Sequence, residues 1–163
     1  MLFYLQMVHF GEMDNMTEEQ VTKKILAWLI ENQWKIICFD FPQSGTGKYF
    51  HPNEEYRNIK PKNNAAFIPD IIAIKENKAI FFENKNRFYL DDFIKLQMIR
   101  DSNIYKHSID RFLSDYKINE YYYGIGAIKN QSFIKKSLDY IDYVDFIILV
   151  DDKNVEVYKD ICF

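Results

Sequence analysis

Along this chain the apolar positions change period several times, and each change marks a new element. Val21, Ile25, Trp28 and Leu29 recur at helical spacing behind Thr17, with Gln20 three residues beyond it. A threonine at a helix start with glutamine three positions on satisfies two otherwise unpaired N–H groups, so a helix is predicted from Thr17 to Asn32. Lys35 to Phe41 (KIICFDF) is apolar and aromatic, stops at Pro42 and reads as a strand. Pro42 to Gly47 (PQSGTG) is a loop. Residues 48–67 are polar, carry Pro52, Pro61 and the Asn63-Asn64 pair, and show no period. An ordered loop or irregular insertion is expected there, and a loop of that length in a small domain usually has a function.

Two further strands are predicted at Ile68 to Ile74 and Lys78 to Lys85, joined at Glu76-Asn77 as a hairpin. Leu90 to Arg100 and Tyr105 to Tyr116 read as helices, Tyr122 to Ile128 and Val144 to Val150 as strands, and Asn154 to Tyr158 as a last strand after a turn at Asp151–Lys153. This order predicts an α/β fold, a central mixed β-sheet flanked by helices. No internal repeat or interdomain linker interrupts it. The reading is therefore one domain over 1–163, with 1–16 as an N-terminal arm, 17–111 as the core and 112–163 as strands completing the sheet.

Composition narrows the picture. The 163 residues are 48% hydrophobic and 17% aromatic, which fits one domain with a real core and excludes a disordered or fibrous chain. Cys38 and Cys162 form no disulfide framework and no zinc-type pair, so a reducing, cytoplasmic setting is expected. The apolar stretch Met1 to Phe10 is too short to span a bilayer and lacks the start and cleavage site of a signal peptide. It reads as a first strand, a dimer arm or an extension from an upstream start codon, with Met13 and Met16 as alternative starts. The net charge of -3 is unevenly spread: residues 1–47 and 112–163 each carry -3, whereas residues 48–111 carry +3. The middle third is thus the part suited to a polyanion.

That third also holds the residues with chemistry. Glu83 follows Ala-Ile-Phe-Phe inside an apolar strand, where a carboxylate is costly unless paired or bound to a metal. Strand alternation puts Glu83 and Lys85 on one face, and the short hairpin brings Asp70 near Glu83. Two carboxylates and an ammonium at one end of a hairpin suit phosphodiester hydrolysis. Carboxylates hold Mg²⁺ through hard oxygens, the ion activates phosphate and water, and a lysine steadies the added negative charge. The carbonyl of Asn84 offers one more oxygen. The plain alternative makes Asp70 a turn cap and Glu83–Lys85 a sheet salt bridge.

At Pro69-Asp70 and Glu83-Asn84-Lys85 the sequence resembles the PD-(D/E)xK nuclease superfamily. The resemblance implies a restriction-endonuclease-like fold, with Asp70 and Glu83 as metal ligands for Mg²⁺ (Mn²⁺ substituting) and Lys85 assisting the attacking water. From Glu18 to Arg87 the chain also resembles archaeal Holliday junction resolvases, whose first helix gives a metal-binding glutamate. That implies Glu18 or Glu19, with Glu18 favoured because it lies within the apolar stripe, and implies a phosphate contact for Ser44. The long insertion departs from the resolvases. The C-terminal third, with Tyr121-Tyr122-Tyr123-Gly124 and Asp145 to Asp151, is similar to small type II restriction endonucleases. Asparagine and arginine read adenine and guanine edges, so Lys48, Arg57, Lys60, Lys62, Asn63, Asn64, Asn86 and Arg87 are the expected DNA contacts. Lys95 and Arg100 are expected to track the DNA backbone or form a solvated helix face.

The expectation is a Mg²⁺-dependent DNA endonuclease of the restriction type acting on double-stranded DNA. It implies a homodimer, since symmetric cutting needs two centres, and a cognate methyltransferase for the same site. A junction resolvase or repair nuclease acting on branched DNA is the alternative, and a catalytically silent DNA-binding module is the third reading. Lys48 behind Ser-Gly-Thr-Gly is not a P-loop: Pro42 stands at the first glycine and Tyr49 at the Ser/Thr position. His9, His51 and His107 are isolated and read as surface or core residues.

Overall fold

A computed structural model describes residues 16–56 and 66–163. The helix α1 (Glu18–Glu31) begins at Thr17, where both hydrogen bonds of the capping box form: Gln20 N–H donates to Thr17 Oγ1, and Thr17 N–H donates to Gln20 Oε1. Strand β1 (Lys35–Phe39) follows, then β2 (Ile71–Lys75) and β3 (Lys78–Lys85), the last with the bounds read from the sequence. The helices α2 (Leu90–Ser102) and α3 (Lys106–Phe112) lead to β4 (Glu120–Ile128). A helix α4 (Gln131–Ser137) runs into a 3-10 segment (Leu138–Tyr143), and β5 (Phe146–Val150) and β6 (Val155–Lys159) end the chain.

Among the described residues six strands form one mixed sheet in the order β1-β2-β3-β4-β5-β6. Pairings β1–β2, β2–β3 and β5–β6 are antiparallel, whereas β3–β4 and β4–β5 are parallel. Parallel neighbours need crossover connections, and α2–α3 and α4 supply them. These crossover helices lie on one face and α1 covers the other, which explains why the central strands are apolar on both sides instead of alternating with polar residues. On one face Val21, Ile25 and Leu29 of α1 pack on Ile71, Ala73, Ile80 and Phe82. On the other, Phe93, Leu96 and Ile99 of α2 pack with Ile72, Phe81, Tyr123 and Phe133.

Where sequence and structure differ, local chemistry gives the reason. The β2 strand starts at Ile71 and not Ile68, since Pro69 has no N–H to give the ladder. Ser114 and Asp115 compete with helical hydrogen bonding, and α3 stops at Phe112. The helix α4 was not foreseen, although Asn130 is a standard cap whose Oδ1 accepts the Phe133 N–H at 2.7 Å. The insertion is tied at both ends: Phe50 and Phe67 are buried and exchange backbone hydrogen bonds, and His51 N–H donates to Ser108 Oγ on α3. Residues 1–15 of the expected N-terminal arm lie outside the described residues, and Met16 packs against the core on the α1 face. Among those described, no helix is long and apolar enough to cross a membrane, and both cysteines are free.

Candidate active site

The β2–β3 hairpin builds the site by register. Phe82 pairs with Ile71, so Asp70 sits one step before β2, opposite the last residues of β3. Its backbone is fixed on both sides: Asp70 N–H donates to the Phe82 carbonyl, and the Asp70 carbonyl accepts from Asp40 N–H, each at 2.8 Å. The carboxylate then continues the ladder in place of a backbone carbonyl, accepting the Asn84 N–H at 2.6 Å through Oδ2. This holds Asp70 toward the end of β3.

Along β3, Ala79 and Phe81 face α2, and alternation carries Glu83 and Lys85 to that same side. The Glu83 side chain is only 5% exposed, and the Lys95 ammonium of α2 donates to its Oε1 at 2.7 Å. Lys95 also lies 3.8 Å from Asp92 Oδ1. Asp92 Oδ2 is buried and has no hydrogen-bond partner among the described residues. Lys85, at the strand end, lies 3.8 Å from Glu18 Oε1 at the start of α1. Its ammonium also sits 5.8 Å from the centre of the Tyr89 ring, over which the Arg87 guanidinium lies at 4.8 Å.

The electrostatics follow from burial. Desolvation, then the charge of Glu83, pushes the Asp70 carboxyl from 3.8 to about 7, against the Asn84 N–H and the two lysines. Burial also raises Glu83, opposed by Lys95 and aided by Asp92. Burial disfavours the Lys85 charge, but Asp92, Glu18, Glu83 and Asp70 outweigh it, so its pKa rises and it stays an ammonium. The centre is thus short of positive charge: the buried Glu83 and the partly buried Asp70 strain to be ionised together.

Asp70, Glu83, Lys85 and Glu18 therefore come together at one end of the sheet. Glu19 does not; it pairs with Lys23 at 2.6 Å on the exposed side of α1. The Asn84 side chain points to the α1 face, where its Nδ2 donates to Thr22 Oγ1, and what it gives the centre is its N–H to Asp70. Gly126 makes room there, since a Cβ would lie 2.2 Å from Ile25 and 2.3 Å from Asn84 Oδ1. The sheet bridge Glu83–Lys85 of the plain alternative does not form; the partner of Glu83 is Lys95. Among the described residues, no group of three or more His, Cys, Asp or Glu side chains is set to hold a metal ion.

Of the expected DNA contacts, Asn86 and Arg87 are exposed just past β3. Ser44 is exposed but engaged, donating to Asp40 Oδ1 at 2.7 Å. Lys48 leans on the Phe112 ring at 5.1 Å. Arg57, Lys60, Lys62, Asn63 and Asn64 lie outside the described residues. Arg100 does not present itself to a polyanion: it binds Asp101, the Asp142 carbonyl and the partly buried Asp145. Lys95 points into the centre. Sequence reading missed Tyr89 and Asp92. A helical wheel of α2 would have flagged Asp92 and Lys95, which flank the Phe93/Leu96/Ile99 stripe one step to its side.

Comparison of the chain with family models, with curated proteins and with solved structures finds no match. The functional reading therefore stands on the geometry and on the motif itself.

Proposed function

We propose that the chain is a divalent-metal-dependent DNA endonuclease of PD-(D/E)xK type, with Asp70 and Glu83 holding the ion and Lys85 beside it. The observation that carries this is the meeting of two carboxylates, the partly buried Asp70 held by the Asn84 N–H and the buried Glu83 held by Lys95, with the Lys85 ammonium at one end of the β2–β3 hairpin. The donor set fits Mg²⁺. It consists of hard oxygens, few in number, and Mg²⁺ is ordinarily held by one or two carboxylates plus water and substrate phosphate. A group of only two acids is therefore no obstacle. When bound, the ion would supply Lewis-acid activation of the scissile phosphate and of the attacking water. The mixed sheet with helices on both faces is also the arrangement expected of a restriction-endonuclease-like fold.

The chain's own residues divide the remaining work. Asp70, clamped by the Asn84 N–H, orients one carboxylate and Glu83 the other. Lys85 keeps its proton and stabilises charge gathering on the phosphate. Tyr89, stacked under Arg87 and beside Lys85, keeps both cations at the mouth of the site. Cutting of both strands would need two such centres, hence a homodimer. A restriction-type enzyme is the first reading. The approach of Glu18 to Lys85 favours a junction resolvase as the second, because a glutamate from the first helix is what that resemblance implies.

The test is digestion of plasmid DNA and of a synthetic four-way junction with Mg²⁺, using the wild type, Asp70→Ala and Lys85→Ala. Discrete plasmid bands from the wild type alone support a restriction-type enzyme, and selective junction cutting supports a resolvase. Cutting that survives in both folded variants removes the proposal. DNA binding without cutting leaves the silent module as the reading.

A further inference from the structure

We propose that Lys95 is the resident counter-ion of this centre and that it releases Glu83 to a divalent cation by swinging onto Asp92. The inference rests on the metal-centre reading above and adds to it a device for keeping the centre folded without metal.

Glu83 is fixed and Lys95 is not. The Glu83 side chain is 5% exposed inside β3, and its one hydrogen-bond donor among the described residues is the Lys95 ammonium. A buried carboxylate that stays ionised without a cation is costly, so Glu83 needs either a proton or a positive partner. The Lys95 side chain is 40% exposed, and its stem can turn at the surface of α2. Asp92 stands three residues earlier on the same helix, on the same side, 3.8 Å from that ammonium. This distance is too long for a hydrogen bond. Its Oδ2 is buried, and among the described residues no group donates to it, an arrangement that penalises the present state. A rotamer change of Lys95 would give Asp92 the donor it lacks and leave the Glu83 oxygens to a metal ion.

The exchange keeps a cation on Glu83 at each stage. In this exchange Asp92 is the acceptor for the displaced lysine, outside the coordination of the ion. Lys85, which makes no hydrogen bond to Glu83, keeps its separate place beside Glu18.

The experiment is calorimetric Mn²⁺ titration of the full chain without DNA, with thermal melting in EDTA, for the wild type, Lys95→Met, Asp92→Asn and the double variant. Lys95→Met should melt below the wild type in EDTA yet bind Mn²⁺ about tenfold more tightly, the worth of one charge-assisted hydrogen bond. Asp92→Asn should weaken Mn²⁺ binding, and most of that loss should vanish in the Lys95→Met background. A Lys95→Met protein that binds Mn²⁺ no better than the wild type overturns the proposal, because a purely structural ion pair would give that result. An Asp92→Asn loss undiminished in the double variant makes Asp92 a ligand and also overturns it. If Lys95→Met unfolds in EDTA, Mn²⁺ should restore it, and failure to do so counts against the exchange. Glu83→Gln separates the two levels: if it binds Mn²⁺ as the wild type does, or the wild type binds none, the metal-centre reading itself has failed.

Discussion

Asp70→Asn should stabilise the metal-free protein above neutral pH. In the folded chain, burial and then the Glu83 charge raise this carboxyl to about 7, from an ordinary value of 3.8. Between those two values the folded chain keeps a proton that the unfolded chain has lost. Stability from this group is therefore present below about pH 4 and falls as pH rises through 7. A shift of about three pH units corresponds to about 4 kcal/mol. Local relaxation and water access reduce the share expressed as stability to about 2 kcal/mol. Asparagine keeps an oxygen to accept the Asn84 N–H and carries no charge to desolvate. In EDTA at pH 8 the variant should thus melt about 4–8 °C above the wild type, as expected for a domain of this size. The gap should close toward pH 4. Saturating Mg²⁺ should raise the wild type by mass action and leave the variant almost unchanged. An Asp70→Asn protein that melts with or below the wild type at pH 8 in EDTA would refute the reasoning, since the Asp70 charge would then be no burden.

Other consequences follow from the same geometry. Glu18→Gln should lower the rate of cleavage while Glu19→Gln leaves it unchanged, because only Glu18 approaches Lys85; equal effects in a kinetic assay would contradict this. Gly126→Ala should destabilise by about 1–3 kcal/mol or more in urea titration, since its Cβ would overlap Ile25 and Asn84. Thr17→Ala should cost about 1 kcal/mol by the same assay, through loss of the capping box. DNA affinity should fall steeply with added salt, measured by fluorescence anisotropy, and salt-independent binding would point to another ligand.

Much of the frame was legible in the sequence because local and global signals agree there. The Thr17/Gln20 pair and the Val21/Ile25/Leu29 stripe define α1, and the apolar run with a tight Glu76-Asn77 connection defines the β2–β3 hairpin. Period two then sets Glu83 and Lys85 on one face without any tertiary knowledge. What escaped depends on tertiary contacts. A seven-residue helix such as α4 is shorter than the window in which a helical period shows, and only Asn130 announces it. The two ends of the insertion meet through Phe50 and Phe67, a pairing between residues far apart in sequence that no local period announces. Lys95 looked like one charge on a solvated face; the helical wheel puts it beside the apolar stripe, but only the tertiary fold brings its ammonium to a carboxylate twelve residues away. Arg100 was misjudged for the same reason, its partners Asp142 and Asp145 lying beyond β4.

The most direct measurement is the position of Mn²⁺ located by its anomalous scattering in crystals of the full chain. One ion within about 2.5 Å of a carboxylate oxygen of Asp70 and of Glu83 alike is the predicted result. A peak elsewhere, or none at saturating Mn²⁺, would contradict the assignment of this hairpin end as the seat of catalysis.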